Sequence, residues 1–192
     1  MTDCLCFQRK VSDWDAIGEE SEGGESEFRF DLGKMKVDKI LGKGSFATVN
    51  MGTVDGKPAA IKCMRKTRLR LEKQGSFVQR EREILRHLCT PKHHHHPLII
   101  NCFGTAQDDD CVYFAFEPCL GGDFCSVLKK KRRLPAPQVR YYMAEVITSL
   151  EFLHSKDIIY RDLKPENVLL TLSGHAQVRR RLCIVLHCVQ VF

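Results

Sequence analysis

Tyr160-Arg161-Asp162-Leu163-Lys164-Pro165-Glu166-Asn167 brings three chemistries into a short polar stretch. The Asp162 carboxylate can take a proton from a hydroxyl, and the Lys164 ammonium can neutralise a phosphoryl group in transit. The Asn167 amide oxygen is a hard ligand suited to Mg²⁺. A solvated loop has no reason to carry this order. The stretch follows the clearest helix in the chain, which Pro137 opens. There Val139, Met143, Val146, Ile147, Leu150 and Leu153 form one broad apolar stripe that needs a hydrophobic partner. Beyond it, residues 168–170 read as a strand and Ser173-Gly174 as a turn.

Upstream lies a glycine loop, Gly42-Lys43-Gly44-Ser45-Phe46-Ala47-Thr48-Val49. Two glycines let backbone amides approach a polyphosphate that a Cβ would push away. The loop falls between two strand patterns, residues 35–41 and 48–54, whereas a Rossmann or Walker loop leads from a strand into a helix. Walker's Gly-Lys-Ser/Thr ending is also absent. Taken alone, the segment reads equally well as a plain hairpin turn.

A third strand pattern covers residues 59–64, joined to the second by the hairpin signal Asp55-Gly56. Lys62 ends its apolar run Ala59-Ala60-Ile61, an expensive place for an ammonium without a partner. In the next segment Phe77, Ile84, Leu85 and Leu88 recur at helical spacing, and Glu81 falls inside that stripe; the helix is expected to end near Cys89, before Pro91. Pairing Lys62 with Glu81 solves both burial problems and aims the ammonium at phosphates above the glycine loop. Unpaired and partly exposed, the two residues would have no common role.

The rest of the chain sets bounds. Its 192 residues, 43% hydrophobic and 28% charged, suffice for one domain with a real core, or a fragment of one. Residues 1–31 carry nine acids and three bases, a net −6 that leaves +12 on the remainder. The acidic Gly/Ser-rich residues 12–27 hold too little apolar area to offset the entropy of ordering, so a flexible leader is expected. The bases elsewhere are dispersed without aromatic interleaving, which argues against nucleic acid as partner. Ten cysteines come with no apolar targeting run at the start and no stretch long enough to span a membrane, so reduced thiols in the cytosol, or the nucleus, are expected. Cys4 and Cys6 have no second pair at zinc-site spacing. The run His93-His94-His95-His96 reads as loop, residues 112–116 as a buried strand, and Gly121-Gly122 as a break before a short helix over 123–131. Lys129 to Arg133 has the composition of a nuclear signal but reads as a solvated helix end.

In this order the glycine loop, Ala59-Ala60-Ile61-Lys62, Glu81 and Tyr160 to Asn167 resemble the protein-kinase signature set over about residues 34–178. Lys164 after Asp162-Leu163 resembles the serine/threonine class. Tyr160, Gly121-Gly122-Asp123 and Leu153-His154-Ser155 resemble the AGC group, near the cyclic-nucleotide-dependent kinases.

The resemblance implies an α+β fold: a complete N-terminal lobe of antiparallel sheet plus one helix (34–117), then the hinge and the first part of a helical C-terminal lobe (118–178). The leader would run to residue 33, and residues 179–192 would be a tail outside the family pattern. ATP and Mg²⁺ are the implied cofactors. Leu41, Gly42 to Val49 and Ala60 would enclose the nucleotide, Lys62 and Glu81 would hold its phosphates, and Phe116 would be the gatekeeper. Glu117 and Cys119 would offer hinge backbone groups to adenine, and Asp123 would reach the ribose. Asp162 would accept the substrate's hydroxyl proton, with Lys164 and the metal ligand Asn167 beside it. Acids at positions 123 and 166 imply protein substrates with basic residues near the phosphoacceptor.

Two departures stand out. Ala47 replaces the loop's third glycine, which the family tolerates. After Val178 the family would run within two residues into Asp-Phe-Gly, but this chain reads Arg179-Arg180-Arg181-Leu182. Arg180 then stands where a magnesium-binding aspartate is needed. With the activation segment and later helices missing, the stripe over 139–153 is expected to lose its cover and attract a partner or regulatory subunit. Residues 182–192 are β-prone. An abrupt break of this kind looks like a splice variant, frameshift or faulty gene model. The expectation is a truncated, poorly active serine/threonine kinase; the alternative is a non-catalytic nucleotide-binding or scaffolding module.

Overall fold

The computed structural model describes residues 28–45, 47–89 and 96–179. The expected leader as far as residue 27, Phe46 of the glycine loop, His93 to His95, Arg180 and the remainder of the tail lie outside the described residues.

Five strands form one antiparallel sheet: β1 (Met35–Lys43), β2 (Thr48–Val54), β3 (Lys57–Arg65), β4 (Cys102–Gln107) and β5 (Cys111–Phe116), in the order β1-β2-β3-β5-β4. Asp55 and Gly56, with φ of 49° and 76°, make the turn between β2 and β3; two left-handed residues match the twist of a two-residue hairpin. Gly52 allows β1 and β2 to come together beside a bulge at Val37/Lys39, for a Cβ on it would sit 2.0 Å from the Lys36 carbonyl oxygen. Gly52→Ala is therefore expected to destabilise the fold by about 1–3 kcal/mol through this backbone clash. A lowered urea midpoint with unchanged slope would show it.

Two helices follow β3. The six-residue α1 (Lys66–Leu71), absent from the sequence expectations, is anchored by Leu69. In α2 (Gly75–Cys89) the apolar stripe is turned by one residue from the expected one: Phe77 is 46% exposed, while Val78 is buried with Glu81, Leu85 and Leu88. Positions 78, 81, 85 and 88 hold a single face at 3.6 residues per turn, and Phe77 lies about 100° around from Val78.

The second lobe begins with α3 (Phe124–Lys131) and α4 (Ala136–His154), followed by a small hairpin of β6 (Val168–Leu170) and β7 (Ala176–Val178). Val146 and Leu153 of α4 pack with Ile158, Tyr160, Val168 and Val178. The expected single stripe divides here, because Val139, Met143 and Ile147 are between 42% and 55% exposed. Part of that face borders a hollow of about 350 Å³ lined by Phe124, Leu128, Met143, Leu163 and Pro165. Among the described residues no helix is long and apolar enough to cross a membrane.

The boundary of the leader at residue 33 needs correction. Phe28 and Phe30 are buried, in clusters on opposite faces of the sheet, so the chain wraps the edge of β4 before a 3-10 turn at Leu32–Lys34. Two buried aromatic rings are enough to hold residues 28–33 in place.

Candidate active site

Strand register assembles the candidate residues of the first lobe. Gly42 pairs with Val49, Val49 with Lys62, and Lys62 with Phe114, a continuous row across four strands. Directly paired residues share a face, as do residues two apart along a strand, so Ala60 and its partner Phe116 join the same surface. Leu41 sits at the register shift between Ile40 and Gly42 and is 45% exposed.

On that surface the Lys62 Nζ donates to both oxygens of Glu81, at 2.6 and 2.9 Å, and lies 5.4 Å from the centre of the Phe114 ring. The side chains keep only 14% and 9% of their exposure, so each charge is held mainly by the other. The glycine loop closes beside them: Gly44 N donates to the Ala47 carbonyl at 2.8 Å, drawing Ala47 into the place expected of a third glycine. A Cβ built on Gly42 meets nothing within 4 Å, so the protein itself leaves that space open. An ammonium beneath an open glycine strand fits a polyphosphate.

The hinge runs from the end of β5 into the second lobe. Glu117 N donates to the Asn101 carbonyl at 2.9 Å, Gly121 N to that of Leu170 at 2.8 Å, and Leu170 N to that of Gly122 at 2.8 Å. A Cβ on Gly121 would be 2.6 Å from the Leu170 and Thr171 carbonyl oxygens, so glycine is required there by close approach. The Cys119 thiol donates to Gln177 Oε1 at 2.9 Å, and Gln177 Nε2 to the Pro97 carbonyl at 2.9 Å.

Burial, assisted by the Glu117 carboxylate, pushes the Cys119 thiol up to about 12. A raised thiol favours the folded state below its ordinary value of 9.0, and that contribution is lost as pH climbs toward 12. Native protein at pH 8 is thus expected to resist iodoacetamide at Cys119, and urea-unfolded protein to react; peptide mass spectrometry reads the difference.

Asp123 does work that sequence reading did not assign. It caps α3, with Oδ1 accepting from Ser126 N at 2.8 Å and Oδ2 from Ser126 Oγ at 2.7 Å. The bond from the Ser126 hydroxyl, helped by that from its backbone N–H, holds the Asp123 carboxyl below the usual range against the opposing effect of burial.

The polar stretch after α4 forms a tight loop around Asp162. Lys164 Nζ lies 2.8 Å from Asp162 Oδ1, and Asn167 Nδ2 donates to Asp162 Oδ2 and to the Asp162 carbonyl, both at 2.8 Å. Both amide hydrogens of the buried Asn167 thus point at Asp162, which turns its oxygen the other way. Asp162 N donates back to the Tyr160 carbonyl at 2.8 Å, closing a γ-turn in which Arg161 has a φ of 59°. Such a strained turn persists only where its surroundings fix it, and it aims the Asp162 side chain. The turn has no composition signal, because Arg is not a left-handed residue. The loop is tied to the hairpin behind it: Arg179 N donates to the Asn167 carbonyl at 2.7 Å, and Tyr160 OH donates to the Arg179 carbonyl.

Among the described residues no cluster of three or more His, Cys, Asp or Glu side chains could hold a metal ion. A magnesium ion here would take Asn167 and draw its remaining ligands from phosphate and water.

Comparison with known proteins names the family of this fold. The protein kinase domain family profile matches residues 35–183, and the chain belongs to that family. Its relatives place it in the AGC group. Cyclic-AMP-dependent protein kinase type 3 of Saccharomyces cerevisiae is 38% identical over 152 residues, covering 78% of this chain and 37% of the relative. The cAMP-dependent protein kinase catalytic subunit of Dictyostelium discoideum is 35% identical over 149 residues, covering 77% and 22%. Human 3-phosphoinositide-dependent protein kinase 1 is 36% identical over 145 residues, covering 74% and 25%. The chain therefore spans between 22% and 37% of the length of these relatives.

Proposed function

We propose that this chain binds ATP between the glycine strands and the Asp162 loop, and that it is a serine/threonine kinase by lineage with weak phosphotransfer as it stands. The Lys62–Glu81 pair, set in one row with Gly42 and Val49, carries the proposal. The kinase family uses ATP and Mg²⁺. Asp162, oriented through both of its oxygens, would receive the hydroxyl proton of a serine or threonine. Lys164 would steady the transferring phosphoryl group, and Asn167 would hold a metal ion whose part is to neutralise phosphate charge. Adenine would lie against Ala60 and Phe116, meeting hinge backbone at Glu117 and Cys119.

Substrates with basic residues near the phosphoacceptor are proposed from Asp123 and Glu166. A partner on the exposed face of α4 is proposed from the uncovered Val139, Met143 and Ile147. Cys63, Cys102, Cys111, Cys119 and Cys125 form no disulfide, which fits a proposed cytoplasmic or nuclear setting.

One observation favours a second reading: Arg180 occupies the sequence position of an anionic metal ligand. A non-catalytic nucleotide-binding or scaffolding module would tolerate that residue. Purified protein is expected to melt at a higher temperature with ATP and to transfer little phosphate to an Arg-rich peptide. Robust transfer abolished by Asp162→Asn would establish a working enzyme, and no stabilisation by any nucleotide would overturn nucleotide binding in both readings and leave only the scaffold.

A further inference from the structure

We infer that Phe28 is a positioning residue for the Lys62–Glu81 pair, acting through α2; this rests on the nucleotide-binding function proposed above. Phe28 is 3% exposed and belongs to the same buried cluster as Val78 and Leu85 of α2 and Met64 and Phe114 of the sheet. Val78 and Leu85 stand three residues before and four after Glu81, on the same helix face. The ring thus belongs to the packing that flanks Glu81 on both sides along the helix.

A polar relay follows the same path. Arg82 Nε, on the residue after Glu81, donates to Thr105 Oγ1 at 3.3 Å, and Thr105 Oγ1 donates to the Phe28 carbonyl at 3.5 Å. Phe30 N donates to the Thr105 carbonyl at 3.2 Å, and Arg29 bridges Thr105 in parallel, fixing the segment along β4. Gly104 makes the approach close, since a Cβ on it would lie 3.1 Å from the Phe28 carbonyl oxygen.

Packing beside this segment is incomplete. A cavity of about 320 Å³ lies between this segment, α2 and the sheet, lined by Arg29, Phe30, Val78, Arg82, Val112 and Phe114 among others. Withdrawal of the Phe28 ring leaves α2 room to shift, and a shift of an ångström or so breaks a 2.6 Å ion pair. The Lys62 ammonium then loses its aim at phosphate while the sheet stays folded.

The test uses the full chain and the affinity of a non-hydrolysable ATP analogue with Mg²⁺, measured by calorimetry for wild type, Phe28→Ala, Glu81→Gln and the double variant. Phe28→Ala is expected to weaken binding roughly three- to tenfold in the wild-type background and not to weaken it further beside Glu81→Gln. Equal loss in both backgrounds, or loss in neither, overturns the proposal in favour of a general packing role. Phe28→Leu, which keeps most of the apolar volume, should show the same pattern at smaller amplitude and decides the question if the alanine variant does not fold. Should wild type bind no nucleotide, it is the function above that falls. Hydrogen exchange then judges Phe28: faster exchange confined to residues 78–88 sustains it, while unchanged exchange there or uniform loss across the sheet rejects it.

Discussion

Glu81→Gln is expected to cost the folded chain ~2–4 kcal/mol and to remove most of its nucleotide affinity. Taking one partner from a fully buried ion pair typically costs ~3–5 kcal/mol, because the other charge is left without compensation. The figure is set lower here because the Lys62 side chain keeps 14% of its exposure and an amide can still accept one hydrogen bond. Replacing both members by apolar residues of similar length, Lys62→Met with Glu81→Leu, should restore much of the stability and none of the binding. Urea denaturation measures the first effect and calorimetry with ATP the second. A double variant as unstable as Glu81→Gln alone would mean that the pair is held by something other than mutual compensation.

Arg180→Asp is expected to make nucleotide binding depend on magnesium. In the chain as it stands, affinity should change little when Mg²⁺ is added, because a guanidinium at position 180 opposes a cation. With a carboxylate there, Mg²⁺ should tighten ATP binding by about tenfold or more, equivalent to ~1.4 kcal/mol. The backbone supports the choice of position. Arg179, the residue before it, is tied through its N–H to the Asn167 carbonyl and through its own carbonyl to Tyr160. Magnesium titration of both proteins reads the outcome; the same insensitivity in each would remove position 180 from the metal site.

Strong local signals made much of this legible beforehand. Asp55-Gly56 set the hairpin, Cys89 before Pro91 the end of α2, and Pro137 the start of α4. Lys62 and Glu81 were paired on the cost of burying each alone, and they meet at 2.6 Å. The misses have physical causes. Phe77 and Val78 both satisfy helical spacing, and only the sheet decides which one turns inward. The stripe of α4 is a property of one helix, but its burial depends on what lies opposite, so Val146 is covered and Ile147 is not. A leader drawn to residue 33 takes in Phe28, because the cluster of that ring is made with residues 36 to 86 positions away. The strain at Arg161 emerges from closure of the loop on itself, which composition does not encode, whereas the Asp123 cap had a readable signal, an Asp directly before a helix.

Gly121 donates to the Leu170 carbonyl and Leu170 to that of Gly122, with so little clearance that the later part of the connecting segment is fixed to the lower body. Only residues 117–120 are left to bend; Pro118 has a fixed φ, and Cys119 is moored to Gln177. Such a stiff joint leaves little scope for the two halves to swing apart like a jaw. The outermost ribbon, β1, keeps its side chains largely in solvent and pairs with β2 alone among the described strands.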